Sequence, residues 1–165
     1  MKYFWLLFGM VMLSVFMQRP VTLDSQDDNL SPQEQRGKEI YFGLESSSSP
    51  PIKALYGNPP AELPATLMGC VNCHGKAGKG IPGDELAAKD ITWDALTKRY
   101  PADSRSGARP AYTEQLLVRA VCMGIDPAGT ELQVTMPRFQ ISREDMKALI
   151  AYLKRLGDKP AKKPL

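Results

Sequence analysis

Apolar residues recur at helical spacing in two stretches of the chain. Met146, Leu149, Ile150 and Leu153 share one stripe, the pattern of a helix with a single buried face. Ser142 precedes that stripe as a cap, with Asp145 three residues on, Ile141 and Met146 at the two staple positions, and Gly157 as a stop. Leu116, Leu117, Ala120 and Val121 repeat the spacing between Thr113, a second capping residue, and Met123. A further helix starts at Ser31-Pro32-Gln33-Glu34. There the serine caps, the proline suits the first helical position and the glutamate closes a capping box. This helix carries Gly37, Ile40 and Tyr41 and stops at Gly43. Asp94 to Tyr100 predicts a short helix ended by Pro101. Residues 45–66 hold Ser46–Ser49, Pro50, Pro51, Pro59, Pro60 and Pro64, and predict a long loop with little regular structure. No strand-like alternation of useful length and no internal repeat is present. The expected class is all-α with long loops.

The amino-terminal stretch has a different character. Lys2 precedes an apolar run from Tyr3 to Met17 in which Ser14 is the polar member, a positive n-region followed by a secretory h-region. The run is shorter than the roughly 20 residues that span a bilayer comfortably, and no A-x-A cleavage pattern follows. Residues 1–20 are therefore expected to be a signal peptide or an uncleaved membrane anchor, the second being favoured. Either places the remainder outside the cytoplasm, because Lys2 holds the terminus inside. Residues 21–30, with Asp24, Asp27 and Asp28, predict a linker. Residues 31–157 predict one domain, and 158–165 a flexible tail.

Composition narrows the function classes. The chain is 43% hydrophobic and 24% charged, the balance of a globular protein. Its net charge is +3, and setting aside Lys2 and Arg19 of the leader leaves the rest almost neutral. Nucleic acid is excluded as a main partner on that ground, because phosphate binding needs clustered basic surface.

Chemistry concentrates in Cys70-Val71-Asn72-Cys73-His74, the C-x-x-C-H signature of covalent haem attachment. One helical turn sets the two thiols to meet the two vinyl groups of a single porphyrin edge, and the histidine follows directly to project its imidazole at the iron. Three other readings compete. A thioredoxin-like redox pair needs a neighbouring βαβ pattern, which is lacking. A zinc site needs four ligands, and the chain offers one further cysteine, Cys122, and no second histidine. A Cys70–Cys73 disulfide suits an oxidising compartment but leaves the histidine unexplained.

With a single histidine, bis-histidine ligation is excluded, and methionine is the soft sixth ligand to expect. Met68 lies too near the attachment turn to reach the opposite face. Met146 belongs to the apolar stripe of the last helix. Met123 ends a helix beside Gly124 and remains the main competitor. Met136 sits in a loop rich in Gly, Thr and Pro, and Pro137 biases its backbone to an extended conformation that presents the side chain inward.

Arg36-Gly37-Lys38-Glu39-Ile40-Tyr41, the Cys70–His74 motif with Gly75, the Met136-Pro137 pair and Leu149-Ile150-Ala151-Tyr152-Leu153-Lys154 together resemble the class I c-type cytochromes, in the family's order. The resemblance implies a cytochrome c-like fold of four to five helices wrapped around one covalently bound haem. It implies haem c with His74 and Met136 as axial ligands, and one-electron transfer. It also implies that the first and last helices cross at Gly37 against Tyr152, and that a Gly-Pro loop supplies a backbone carbonyl to the proximal imidazole, with Pro82 the candidate here. The insert 45–66 is longer than in small members of the family. Asp90-Ile91-Thr92-Trp93 and Gly124-Ile125-Asp126-Pro127 are similar to larger bacterial monohaem members, including those that accompany periplasmic dehydrogenases.

Other residues carry a functional and a plain reading side by side. Trp93 either contacts the haem or packs in the core. Arg109 and Tyr112 are candidate partners for haem propionates, since a buried carboxylate needs charge or hydrogen bonds. Lys76 and Lys79 either ring the haem edge or stand solvated on a loop. Cys122 is by default a small buried hydrophobe. The expected protein is a periplasmic monohaem carrier of single electrons and not an enzyme by itself. A dehydrogenase is its donor and an oxidase or cytochrome its acceptor, with the membrane engaged through residues 1–20 if these are uncleaved. The competing class is a haem sensor or ligand-binding module with an open sixth iron position.

Overall fold

The computed structural model describes residues 30–44, 50–83, 88–99 and 109–156. The leader, most of the linker and the tail lie outside them, as do Tyr100 and Gly157, the expected ends of two helices. Among these described residues there are five α-helices: α1 (Pro32–Phe42), α2 (Val71–His74), α3 (Trp93–Leu96), α4 (Glu114–Met123) and α5 (Arg143–Arg155). Among the described residues no helix is long and apolar enough to cross a membrane.

The helix starts follow local chemistry. The Ser31 hydroxyl accepts from Glu34 N while the Ser31 N–H donates to Glu34 Oε2 at 2.7 Å, a complete capping box. Thr113 caps α4 through Leu116 N, and Ser142 caps α5 through Asp145 N. Gly43 and Gly124 close α1 and α4 in the left-handed conformation. The helix expected over Asp94–Tyr100 is shorter and one residue earlier. Thr92 caps it, and its first turn ends at Leu96.

The expectation of an all-α chain is corrected. The insert read as an irregular loop folds into a hairpin of β1 (Lys53–Tyr56) and β2 (Ala61–Pro64), joined through residues 57–60 with a cis Asn58–Pro59 bond. Strand β1 also pairs antiparallel with β3 (Arg138–Gln140), giving the order β2-β1-β3. Its register sets Lys53 opposite Gln140, Ala54 opposite Phe139 and Leu55 opposite Arg138. Strands this short carry too few residues for an alternation to register, and their pairing partner lies far along the chain.

The core is built on α5. Met146, Leu149, Ile150, Tyr152 and Leu153 are buried with Tyr41, Leu96, Leu117 and Val121. Helices α1 and α5 meet at Gly37, where an added Cβ would lie 2.0 Å from the Ala148 carbonyl oxygen and 2.7 Å from Tyr152 Cβ. The backbones are therefore in contact, and the crossing expected from Gly37 is present. Beside it Arg36 Nε donates to the buried Asp145 carboxylate at 2.9 Å, tying the first turn of α5 to α1. The Tyr41 ring packs on Tyr152 with centroids 5.4 Å apart. Gly37→Ala is expected to cost about 3 kcal/mol or more through overpacking against backbone, lowering the thermal midpoint by roughly 10 °C. Differential scanning calorimetry checks this, and an unchanged midpoint is incompatible with the crossing.

Candidate functional site

Cys70 stands at the amino-terminal end of α2, and Cys73 and His74 form its last two positions. The single turn is closed by bonds from His74 N and Cys73 N to the Cys70 carbonyl at 2.9 and 3.3 Å. Cys70, Cys73 and Cys122 stand as free thiols. Cys73 is exposed, whereas Cys70 packs against the core and its burial pushes the thiol up to about 12. Among the described residues no three His, Cys, Asp or Glu side chains converge as a metal-holding group.

The imidazole is fixed by backbone. His74 Nδ1 lies 2.9 Å from the Lys89 carbonyl oxygen. Only a protonated Nδ1 donates to a carbonyl, so this bond selects the tautomer with its lone pair on Nε2. Burial holds the imidazole pKa below its usual value, with the Lys89 bond acting in the opposite sense, and so favours the neutral ring that binds metals. The carbonyl that holds the imidazole thus belongs to Lys89 and not to Pro82, the candidate from the resemblance, which is exposed. The chain on either side packs back toward α2, with Gly80 N donating to the His74 carbonyl at 2.9 Å and Ile91 N to the Gly78 carbonyl at 2.7 Å. From the other side the buried Tyr41 hydroxyl donates to the Gly75 carbonyl at 2.6 Å. Gly75 has φ +70°, and a Cβ there would meet the Gly80 carbonyl oxygen at 2.9 Å.

The methionines separate by environment. Met146 is 3% exposed in the α5 stripe, Met123 is 62% exposed, and Met136 is half-buried against the core cluster. Met136 precedes the buried Pro137 and strand β3. Its N–H donates to the Gln133 carbonyl at 3.0 Å, and its carbonyl accepts from Arg138 Nη1.

Trp93 opens α3, is partly buried against the core, and has Lys154 Nζ 5.0 Å from its ring centroid. Arg109 lies over the Tyr112 ring with Cζ 4.9 Å from the centroid. Burial raises the Tyr112 phenol, with the Arg109 charge acting against it. A residue not singled out from sequence joins this corner. Arg119 on α4 donates through Nη2 to the Asp126 carbonyl, while its buried Nε has no hydrogen-bond acceptor among the described residues. A buried guanidinium N–H of this kind is matched to a carboxylate. No sequence signal marked Arg119, because any surface helix carries such arginines.

The Cytochrome c family model matches residues 61–157, more than half of the 165-residue chain. The chain belongs to the cytochrome c family. No curated protein and no solved structure matches it. As a c-type cytochrome it carries covalently bound haem c with iron, transfers electrons and works with redox proteins. The residues present fit that group. Two free thiols lie one turn apart, an imidazole has its Nδ1 already engaged, a half-buried thioether is available at Met136, and Arg119 Nε is a donor suited to a propionate. Apolar side chains at the surface in these segments, Leu67 at 63%, Ile81 at 39% and Val134 at 55% exposure, suit a porphyrin rim.

The Tyr41–Gly75 bond yields a test. Tyr41→Phe keeps the ring packing but leaves the Gly75 carbonyl without this donor, and is expected to cost about 1–2 kcal/mol. Denaturant unfolding measures it, and equal stability of the two proteins would remove the hydroxyl from the account.

Proposed function

We propose that this cytochrome is an exported monohaem electron carrier that works between periplasmic redox partners, as the cytochrome partner or subunit of a dehydrogenase. In this reading Cys70 and Cys73 form the two thioethers, His74 is the proximal ligand and Met136 the distal ligand. The observation that carries it is the His74 Nδ1–Lys89 bond, which leaves Nε2 available beside two free thiols. The bound haem supplies the one-electron couple of its iron.

The chain's own residues do the remaining work. The Lys89 carbonyl orients the His74 ring and raises its basicity as a ligand. Pro137 and the Gln133 carbonyl hold the Met136 backbone, so the neutral sulfur is offered from a fixed position. Two ligands held by the fold limit rearrangement on electron transfer, the property of a carrier rather than a sensor. Arg119, with Arg109 and Tyr112, holds the propionates, and Trp93 serves as a core residue. Residues 1–20 export the domain and anchor it when uncleaved. The hairpin of the insert, absent from small members of the family, supports a partner-specific surface.

Two measurements check this reading. Protein matured in a cell competent for haem attachment should show the added mass of one porphyrin, lost in the Cys70→Ala/Cys73→Ala double variant. Its absorbance should include a methionine–iron charge-transfer band at the red end of the visible, absent in Met136→Ala, whose potential should fall by more than roughly 60 mV, a tenfold change in equilibrium constant. A high-spin spectrum in the unaltered protein refutes the carrier reading and favours an open sixth position. Separately, Arg119→Gln removes a cation from the propionate end and disfavours the electron-rich state. Its potential is expected to drop by tens of millivolts, up to roughly 60 mV, with the red-end band retained. An unchanged potential excludes Arg119 from that role.

A further inference from the structure

One side chain spans the loop from Gly124 to Arg138. Arg138 is the first residue of β3, and its backbone is held in register opposite Leu55 of β1. Its half-buried side chain turns back over the loop. Nη1 donates to the Met136 carbonyl, and Nη2 donates to the Leu132 carbonyl at 2.8 Å. The guanidinium also crosses the end of α4, since a Cβ on Gly124 would lie 1.6 Å from Arg138 Nε and 1.9 Å from Cζ. Gly124 is favoured by its φ of +70°, and the arginine passes through the space a side chain there would take. The Gly124 carbonyl in turn accepts from Leu132 N at 2.7 Å. One guanidinium therefore joins the end of α4, the middle of the loop and the backbone of Met136.

We propose that Arg138 is the positioning residue for the Met136 sulfur, and that the insert hairpin, through β1, holds Arg138 in place. The proposal rests on Met136 being the distal ligand. A thioether is a neutral, weak ligand, so its occupancy of iron depends on its effective concentration at the metal. That concentration is set by how narrowly the loop is confined. The charge-assisted bond from Arg138 Nη1 holds the Met136 carbonyl, and the one from Nη2 ties it to the loop at Leu132, whereas Pro137 constrains only a backbone torsion. Lysine at this position supplies the charge but not the planar fork that reaches two carbonyls at once.

The test is competition by imidazole at fixed pH, followed by loss of the red-end methionine–iron band in the holoprotein. Arg138→Gln should bind imidazole about tenfold more tightly or better, because the competing sulfur is less confined. Arg138→Lys should fall between that variant and the unaltered protein, and it carries the test should the glutamine variant not fold. Amide exchange at Met136 should accelerate in both. Unchanged imidazole affinity in Arg138→Lys and in any folded Arg138→Gln, with the band intact, overturns the positioning role while leaving Met136 as ligand. Persistence of the band in Met136→Ala overturns the ligand assignment and this inference together, so the two failures are distinguishable.

Discussion

The backbone contact between α1 and α5 at Gly37 governs most of what lies around it. Because no side chain intervenes, the Ala148 carbonyl and Tyr152 Cβ come against the α1 backbone, and Tyr41, one turn further along α1, is carried into the core beside Tyr152. Burial of that ring leaves its hydroxyl in need of an acceptor. The Gly75 carbonyl meets the need at 2.6 Å, immediately after His74. The end of α5 reaches the same region, with Leu156 filling the space over Gly78. A packing constraint between two helices thus fixes the segment that holds the C-x-x-C-H motif.

The two proposed axial ligands are held by different means. His74 lies in a single helical turn, and its ring direction comes from a peptide carbonyl fifteen residues later. A backbone acceptor fixes the tautomer whatever side chain stands at position 89. Met136 lies in a loop and owes its place to a turn, a buried proline and a guanidinium that spans three points of the chain. This asymmetry suits the chemistry. An imidazole with its other nitrogen engaged is a strong ligand that needs orientation, whereas a thioether is a weak one that needs confinement. The charged corner of Arg109, Tyr112 and Arg119 adds a third element, in which a buried donor on α4 has the chemistry to take a carboxylate.

Much of this was legible along the chain because it is local. Ser31 with Glu34, Thr113 and Ser142 marked three helix starts through contacts spanning three residues, and the α5 stripe displayed its buried face through periodicity alone. The C-x-x-C-H motif needed only one helical turn to make chemical sense. The Gly37 crossing was implied by the family resemblance, since a glycine within a helix otherwise reads as a mild defect. The sheet was not legible. Its strands span three or four residues, and β1 finds β3 some eighty positions away. The run of serines and prolines in residues 45–66 argued for an irregular loop, yet Pro59 and Pro60 fall in the hairpin turn and Pro64 on an edge strand, where proline is tolerated.

The amino-acid sequence by itself determined the attachment motif, the helix caps, the buried stripe of α5 and the preference for Met136 over the helical methionines, since each depends on residue type and short spacing. Tertiary structure decided which carbonyl holds the imidazole, Lys89 rather than Pro82, and which backbone carbonyls the Arg119 and Arg138 guanidiniums reach. A peptide carbonyl carries no residue identity, and a long guanidinium reaches whichever acceptors the fold sets around it. Such bonds are specified by how distant segments pack, and that packing exists only once the helices have met at Gly37.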